Sequence, residues 1–418
     1  MLNNQNEREL CYAVRVTDIT PIEGADKVEL AHINGWHIMV KKGDYKVGDL
    51  AIYFEIDSLL PMTNPAFDFM AKYKYKVKTQ RFIKGTVLSQ GLLMRPDELG
   101  LKDVKEGDFL TKELGVTYYE AEDNTRKASS KELIATKVAK RMDMWKKKHK
   151  FLSRFKFICE LHRKLFEKQI KGVQKKKKTN WPCWVKRTDE DRCQNLPQLF
   201  REPLNETHWI STEKIDGTST TFTMLQAKKR KRRAIICSRN IVFDTPQANE
   251  KNYYKDTDGN VYVEMFEKYD INAVLNHILD KHPEYEFITI QGETYGGTIQ
   301  KRKYCNEHRL AIFNIIFKTK GLEPIRLNPI EMHDFVDQIN KELQTENKLE
   351  CVPIICEDFV LPTTCEMLLE YADDASEIDG GLREGLVFRS RDGKLSFKAV
   401  SNKFLENSAK NFDFCNFF

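Results

Sequence analysis

The chain has 418 residues, a formal net charge of +6, 41% hydrophobic and 31% charged residues. This is the balance of a globular protein with room for two or three domains, not of a disordered chain. Residues 1 to 10 are polar and no apolar run approaches the length of a bilayer crossing, so we expect a soluble, intracellular protein, cytoplasmic or nuclear, with no membrane partner, and a monomer. The ten cysteines contain no Cys-x-x-Cys pair and the nine histidines no ligand spacing, so neither a zinc site nor a disulfide framework is expected.

Residues 11 to 115 read as short strands with turn signals: Cys11 to Ile19, Val28 to Ile33, Trp36 to Lys41 and Ala51 to Ile56. Short, evenly spaced strands argue for a small β-barrel. A patch drawn from Trp36, Lys41, Lys42, Tyr73, Tyr75, Lys76, Lys78, Arg81 and Lys84 combines aromatic and cationic side chains suited to single-stranded nucleic acid, although each alone is an ordinary surface type. Residues 137 to 178 then hold seventeen Lys or Arg against three acids. Apolar residues at Phe151, Phe155, Ile158, Leu165 and Phe166 give that stretch the pattern of an amphipathic helical connector. Its charge would draw a phosphate backbone, or be simply solvated.

From Trp181 the pattern alternates strands with helices, such as Val261 to Leu279 and Pro329 to Leu343, as in an α+β domain with antiparallel sheets. Within it, Ser211-Thr212-Glu213-Lys214-Ile215-Asp216-Gly217-Thr218-Ser219 places a lysine two residues before Asp-Gly. A lysine whose amine is held neutral by burial or neighbouring cations can attack phosphorus, and an aspartate two positions on could serve a metal or a ribose. Asp-Gly between β-rich runs is equally a hairpin-turn signal. The run Lys228 to Arg233 lies between Thr218 to Leu225 and Ala234 to Cys237 and reads as a basic hairpin tip, able to touch RNA or act as a nuclear-localisation signal.

Downstream come Ser238-Arg239-Asn240, Gly292-Glu293-Thr294-Tyr295-Gly296, Ile312-Phe313-Asn314-Ile315, Glu384-Gly385-Leu386-Val387-Phe388-Arg389 and Ser396-Phe397-Lys398. With the Lys214 segment, their order and spacing resemble the six nucleotidyl-transfer motifs of the covalent nucleotidyltransferases, the superfamily of polynucleotide ligases and capping enzymes. The run from Trp181-Pro182 through Thr188-Asp189-Glu190-Asp191-Arg192-Cys193-Gln194-Asn195 is similar to a segment of ATP-dependent RNA ligases with an N-terminal OB module. Pro21 with Ala25-Asp26-Lys27, and Asp57-Ser58-Leu59-Leu60-Pro61, resemble that module. Two departures stand out: Lys186-Arg187 replaces a single basic residue, and Val400 stands where many ligases have a second lysine.

The resemblance implies an OB domain at 1 to 118, a basic helical linker at 119 to 179 and a nucleotidyltransferase domain at 180 to 418. It implies ATP and a divalent metal, magnesium or manganese, as cofactors, and RNA 3′-hydroxyl and 5′-phosphate ends as partners. Lys214 would form a lysyl-AMP, and Lys398 would contact the α-phosphate and help depress the pKa of Lys214. Asp216, Glu293 and Glu384 would hold hydrated metal or ribose hydroxyls, Gly217 would sit against the nucleotide, and Phe313 would stack on adenine, with Ile312 and Phe317 competing for its register. Arg192 and Gln194 would approach the nucleotide. Arg239, Asn240 and Lys403 would contact RNA or AMP, and the missing second lysine's role would fall to Asn402, Lys403 or Arg239. The alternatives are a DNA ligase or capping guanylyltransferase, which usually carry the OB fold after the last motif, and a catalytically silent RNA-binding protein.

Overall fold

The structure, a computed structural model, describes residues 8–82, 87–118, 142, 145, 149, 156–173, 181–227, 232–239, 242–243, 260–300 and 302–410. Two compact units emerge, residues 1–118 together with 181–418, and residues 119–180. In the smaller, a helix spans Lys156–Val173, and the rings of Trp145 and His162 meet tilted by 31° with centroids 4.3 Å apart. The basic residues 146–148, 150 and 175–178 lie outside the described residues.

The N-terminal part of the larger unit is an OB barrel of short strands: β1 Cys11–Arg15, β2 Asp18–Pro21, β3 Val28–Ile33, β4 Trp36–Lys41, β5 Leu50–Phe54, β6 Ser58–Leu59, β7 Thr79–Phe82, β8 Val87–Gln90, β9 Leu92–Met94 and β10 Thr117–Tyr118. The single strand expected from Cys11 to Ile19 is two, because β1 pairs with β5 while β2 leaves to pair with β3. Alternation along β4 turns Trp36, Ile38 and Val40 inward, and Trp36 has no exposed surface. Trp36 is therefore no stacking platform for RNA. Tyr73, by contrast, is 39% exposed, and Lys84 lies outside the described residues.

The remainder builds two sheets from β11 His208–Lys214, β12 Thr218–Leu225, β13 Ala234–Ser238, β14 Val242–Phe243, β15 Tyr285–Gly296, β16 His308–Thr319, β17 Ile325–Arg326, β18 Glu350–Cys351, β19 Ile354–Val360, β20 Gly385–Ser390 and β21 Ser396–Val400. A four-stranded antiparallel sheet runs β19-β11-β20-β21, and a larger one runs β14-β13-β12-β15-β16-β17 with β18 added parallel to β16. Helices cover the outer faces. Trp209, Leu386, Phe388, Phe397 and Ala399 pack beneath the 365–372 helix. Phe222, Ile236, Ile288 and Ile290 pack against the helices at 261–281 and 329–343. The helix expected from Val261 to Leu279 is broken into Val261–Lys268 and Ile271–Lys281, since Asp270 adopts φ 44° and caps the second helix by accepting from the Ala273 amide.

Candidate active site

Lys214 ends β11 in one sheet, and Thr218 opens β12 in the other. The Ile215-Asp216-Gly217 link is thus a crossing between sheets, not a hairpin turn: β11 pairs with β19 and β20, and β12 with β13 and β15. Ile215 is buried and anchors the crossing. Gly217 passes so close to β15 that a Cβ would meet the Thr294 carbonyl oxygen at 2.4 Å, so no larger residue fits. Tyr304 Oη accepts the Asp216 amide at 3.0 Å and Gln300 Nε2 donates to the Gly217 carbonyl at 3.0 Å, holding the crossing from both sides.

The space between the sheets is a cavity of about 420 Å³, of the size small-molecule sites occupy. It is lined by Lys214, Asp216, Gly217, Glu293, Phe313, Glu384, Lys398, Arg192 and Arg239, so these nine expected residues meet in one place. Register explains much of this. On β11, β20 and β21 the directly opposed residues form rows: Lys214, Gly385 and Val400, then Thr212, Val387 and Lys398. Period-two alternation keeps both rows on the cavity face while Leu386 and Phe397 enter the core. Phe313 arrives by a different route. The β15–β16 pairing slips between Gln291–Asn314 and Gly292–Ile312, leaving Phe313 as the extra residue of a bulge turned to the cavity. Ile312 is in the core and Phe317 stacks on Tyr285.

Charge divides the cavity. Lys214 Nζ pairs with Glu384 Oε1 at 2.7 Å, and the other carboxylate oxygen of Glu384 is buried without a partner. Burial alone would lower the Lys214 pKa, but Glu384, Glu293 and Asp216 outweigh it and raise it. The expected depression of Lys214 by Lys398 is therefore absent in the free protein, because three carboxylates stabilise the ammonium. Burial pushes Glu293 up to about 8 and Asp216 up to about 6, with Glu384 adding to both. Lys398 shows the opposite behaviour: burial, then Lys214, brings it down to about 8. Among the described residues no group of three or more His, Cys, Asp or Glu side chains is close enough to cage a metal directly. The orphaned Glu384 oxygen and the two raised acids fit instead a hydrated cation held through its water ligands.

Three arginines also line the cavity: Arg389, Arg239, which is paired with Asp189 at 2.6 Å, and Arg192. Arg192 forms a backbone bridge to Lys398, stacks over Trp36 of the OB barrel at 5.5 Å and leaves Nη1 without a partner. Three expected residues are not brought in. Gln194 is buried and does not line the cavity; its Cγ lies 3.2 Å from the position a Cβ on Gly35 of the β3–β4 turn would take. Lys403 is 65% exposed and pairs with Asp373 at 3.7 Å, and Asn240 lies outside the described residues. Val400 lines the cavity, so the place of the second lysine is apolar, and of its candidate replacements Arg239 is the one that also lines the cavity. The hairpin tip at 228–231 is outside the described residues, while Arg232 is held by Asp280, Gln226 and Leu279. Sequence reasoning missed Arg389, Thr188, Gln300 and Tyr304. Alternation from Val387 could have found Arg389, whereas the 300–304 loop has no periodicity to read.

Residues 10–96 match a family model described as an OB-fold domain, and residues 207–404 match the RNA ligase model. Among solved structures, an apo aspartate-to-alanine mutant of an RNA ligase from Naegleria gruberi is 26% identical, covering 96% of this chain and 98% of that chain with a TM-score of 0.60. A mutant RNA ligase of the same organism with ATP and Mn is 26% identical, over 96% of this chain and 99% of that one, at a TM-score of 0.58. The Naegleria enzyme with pyrophosphate is 27% identical over 96% and 99%, at 0.55. No curated protein matches the chain. No helix among the described residues is long and apolar enough to cross a membrane. With the OB model matched first, the ligase model second and the paired-sheet cavity between motif residues, the chain belongs to the RNA ligases that carry an OB-fold module ahead of the nucleotidyltransferase domain.

Proposed function

We propose that this cavity performs ATP-dependent RNA ligation, joining a 3′-hydroxyl to a 5′-phosphate in the repair of nicked or broken RNA. The observation that carries the reading is the opposition of Lys214, embedded in carboxylates, to Lys398 and Arg192, cations with no acid in contact among the described residues. A triphosphate lying between them would meet a nucleophile on one side and charge neutralisation on the other.

Lys214 Nζ bonds to the α-phosphorus of ATP as the bond to the β-phosphate oxygen breaks, leaving lysyl-AMP and pyrophosphate. Attack needs the free amine, and Glu384 Oε1 at 2.7 Å is the group in contact with the departing proton. An oxygen of the RNA 5′-phosphate then displaces Lys214, giving AMP-RNA, and the 3′-hydroxyl displaces AMP with loss of its proton. Lys398 neutralises phosphate oxygens throughout, Phe313 offers its ring to the base, and Arg239 faces the nucleotide from the cavity rim. Asp216, Glu293 and Glu384 would hold a hydrated magnesium or manganese ion, which would compete with Lys214 for these carboxylates and supply positive charge to the phosphates.

The test is incubation with α-labelled ATP or GTP and a divalent metal, followed by denaturing electrophoresis. Label retained from ATP, and little from GTP, is expected. Preferential labelling from GTP would assign a capping reaction, and no label from either a binding protein.

A further inference from the structure

The β3–β4 turn is where the OB barrel meets the segment that carries Arg192. Asn34 and Gly35 adopt φ 47° and 76°, the left-handed pair of a tight two-residue hairpin. A Cβ on Gly35 would meet the Leu369 side chain at 2.8 Å and those of Cys365 and Gln194 at 3.2 Å, so the turn sits directly against the ligase domain. Trp36 is the next residue. Its ring has no exposed surface and lies beneath the Arg192 guanidinium, 5.5 Å from Cζ to the ring centroid. Tyr53 backs the indole at 6.3 Å, and its own hydroxyl is fixed by donating to the Gln90 carbonyl at 2.9 Å.

Arg192 lines the cavity and bridges to Lys398 through the backbone, while its Nη1 is buried without a partner. Among the described residues no carboxylate is in ion-pair contact with it; Glu384 and Asp57 act on it without touching it. A guanidinium withdrawn from water and left unpaired is costly unless something replaces the lost hydration. The face of an indole can, since its negative quadrupole attracts a cation, more strongly where water is excluded. The means matters for the chemistry. A carboxylate in contact would neutralise Arg192, as Glu384 pairs off Lys214, whereas an uncharged ring leaves the full positive charge for phosphate oxygens.

We infer that Trp36 is a positioning residue for adenylyl transfer, its indole face holding the Arg192 guanidinium in place and unneutralised beside the triphosphate. A residue of the OB barrel thus acts on the reaction without touching the nucleotide. The inference rests on the proposed placement of ATP in this cavity. A Trp36 that only filled the barrel core would be indifferent to the electron density of its ring.

The experiment replaces Trp36 of the full-length protein, at that site alone, by mono-, di- and trifluorinated tryptophan, which drains the negative potential of the ring stepwise with little change of shape. The rate of lysyl-AMP formation is measured against ATP concentration, as the maximal rate divided by the half-saturating concentration. That ratio should fall with each added fluorine, by roughly tenfold over the series, the scale of a desolvated cation–π contact. In an Arg192→Met background the series should be flat, because no cation remains over the ring. Ordinary variants add a second reading: Trp36→Phe, which keeps a π face, should retain more activity than Trp36→Leu. No dependence on fluorine, the same dependence with Arg192→Met, or equal rates for folded Trp36→Phe and Trp36→Leu overturns the inference and leaves the ATP assignment intact. No lysyl-AMP from ATP in the wild type would instead overturn the proposed function itself.

Discussion

Two lysines about one cavity illustrate how surroundings set the chemistry of the same side chain. Lys214 stands among Glu384, Glu293 and Asp216 and is held as an ammonium. Lys398, on the next row of the same sheet, has Lys214, Arg192 and Arg239 around it and is brought down to about 8. Burial acts downward on both, so the difference lies in the neighbours. In the free protein Lys214, the proposed nucleophile, is therefore the better-protonated of the two, and on that proposal its activation depends on whatever engages its carboxylates.

The comparison is broken most severely by removing the proposed nucleophile. Lys214→Ala should lower lysyl-AMP formation on the order of 10⁴-fold or more while pre-adenylated RNA is still sealed, as measured with a nicked AMP-RNA substrate. Undiminished labelling of the variant would remove Lys214 from its role. Lys398→Ala should cost about 10²- to 10³-fold in the adenylation rate, the scale of one lost electrostatic contact to the transition state, and Lys398→Arg should recover part of it.

The lysines can also be compared without nucleotide. At neutral pH an amine-selective acylating reagent should modify Lys398 well ahead of Lys214, since each pKa unit changes the neutral fraction tenfold. Peptide mass spectrometry reads the ratio, and faster modification of Lys214 would reverse the assignment. The smallest effect is on pH dependence. Lys398 is cationic below about 8 and neutral above it, and phosphates favour the cation. ATP affinity should therefore be greatest below pH 8 and fall above it by up to about tenfold per unit, a limb that Lys398→Arg should flatten. An equally steep limb in the arginine variant would place the titration elsewhere.

Much of this site was legible from the order and spacing of motifs that resemble a known family. Lys214, Glu384 and Lys398 lie on or beside β-strands, and it is the pairing of those strands that brings the motifs together. Phe313 was ambiguous with Ile312 because its direction is set by a bulge, a local break in alternation that depends on the opposing strand. Trp36 read as a surface aromatic for RNA because an isolated tryptophan does not reveal that its hairpin packs against Arg192. Gln194 and Lys403 had the right spacing but lie elsewhere, one against Gly35 of the β3–β4 turn and one paired with Asp373. Tyr304 and Gln300 grip the Asp216-Gly217 crossing from a loop, where neither period two nor period 3.6 gives a signal.

The central claim, that Lys214 carries the nucleotide, is tested most directly by locating it. The protein is incubated with ATP and magnesium or manganese, then digested, and the modified peptide is sequenced by mass spectrometry. We predict one AMP on Lys214, stable to base, released by acid as expected for a phosphoramidate, and returned to ATP when pyrophosphate is added. AMP found on any other residue, or a Lys214 adduct that pyrophosphate does not reverse, would contradict the account.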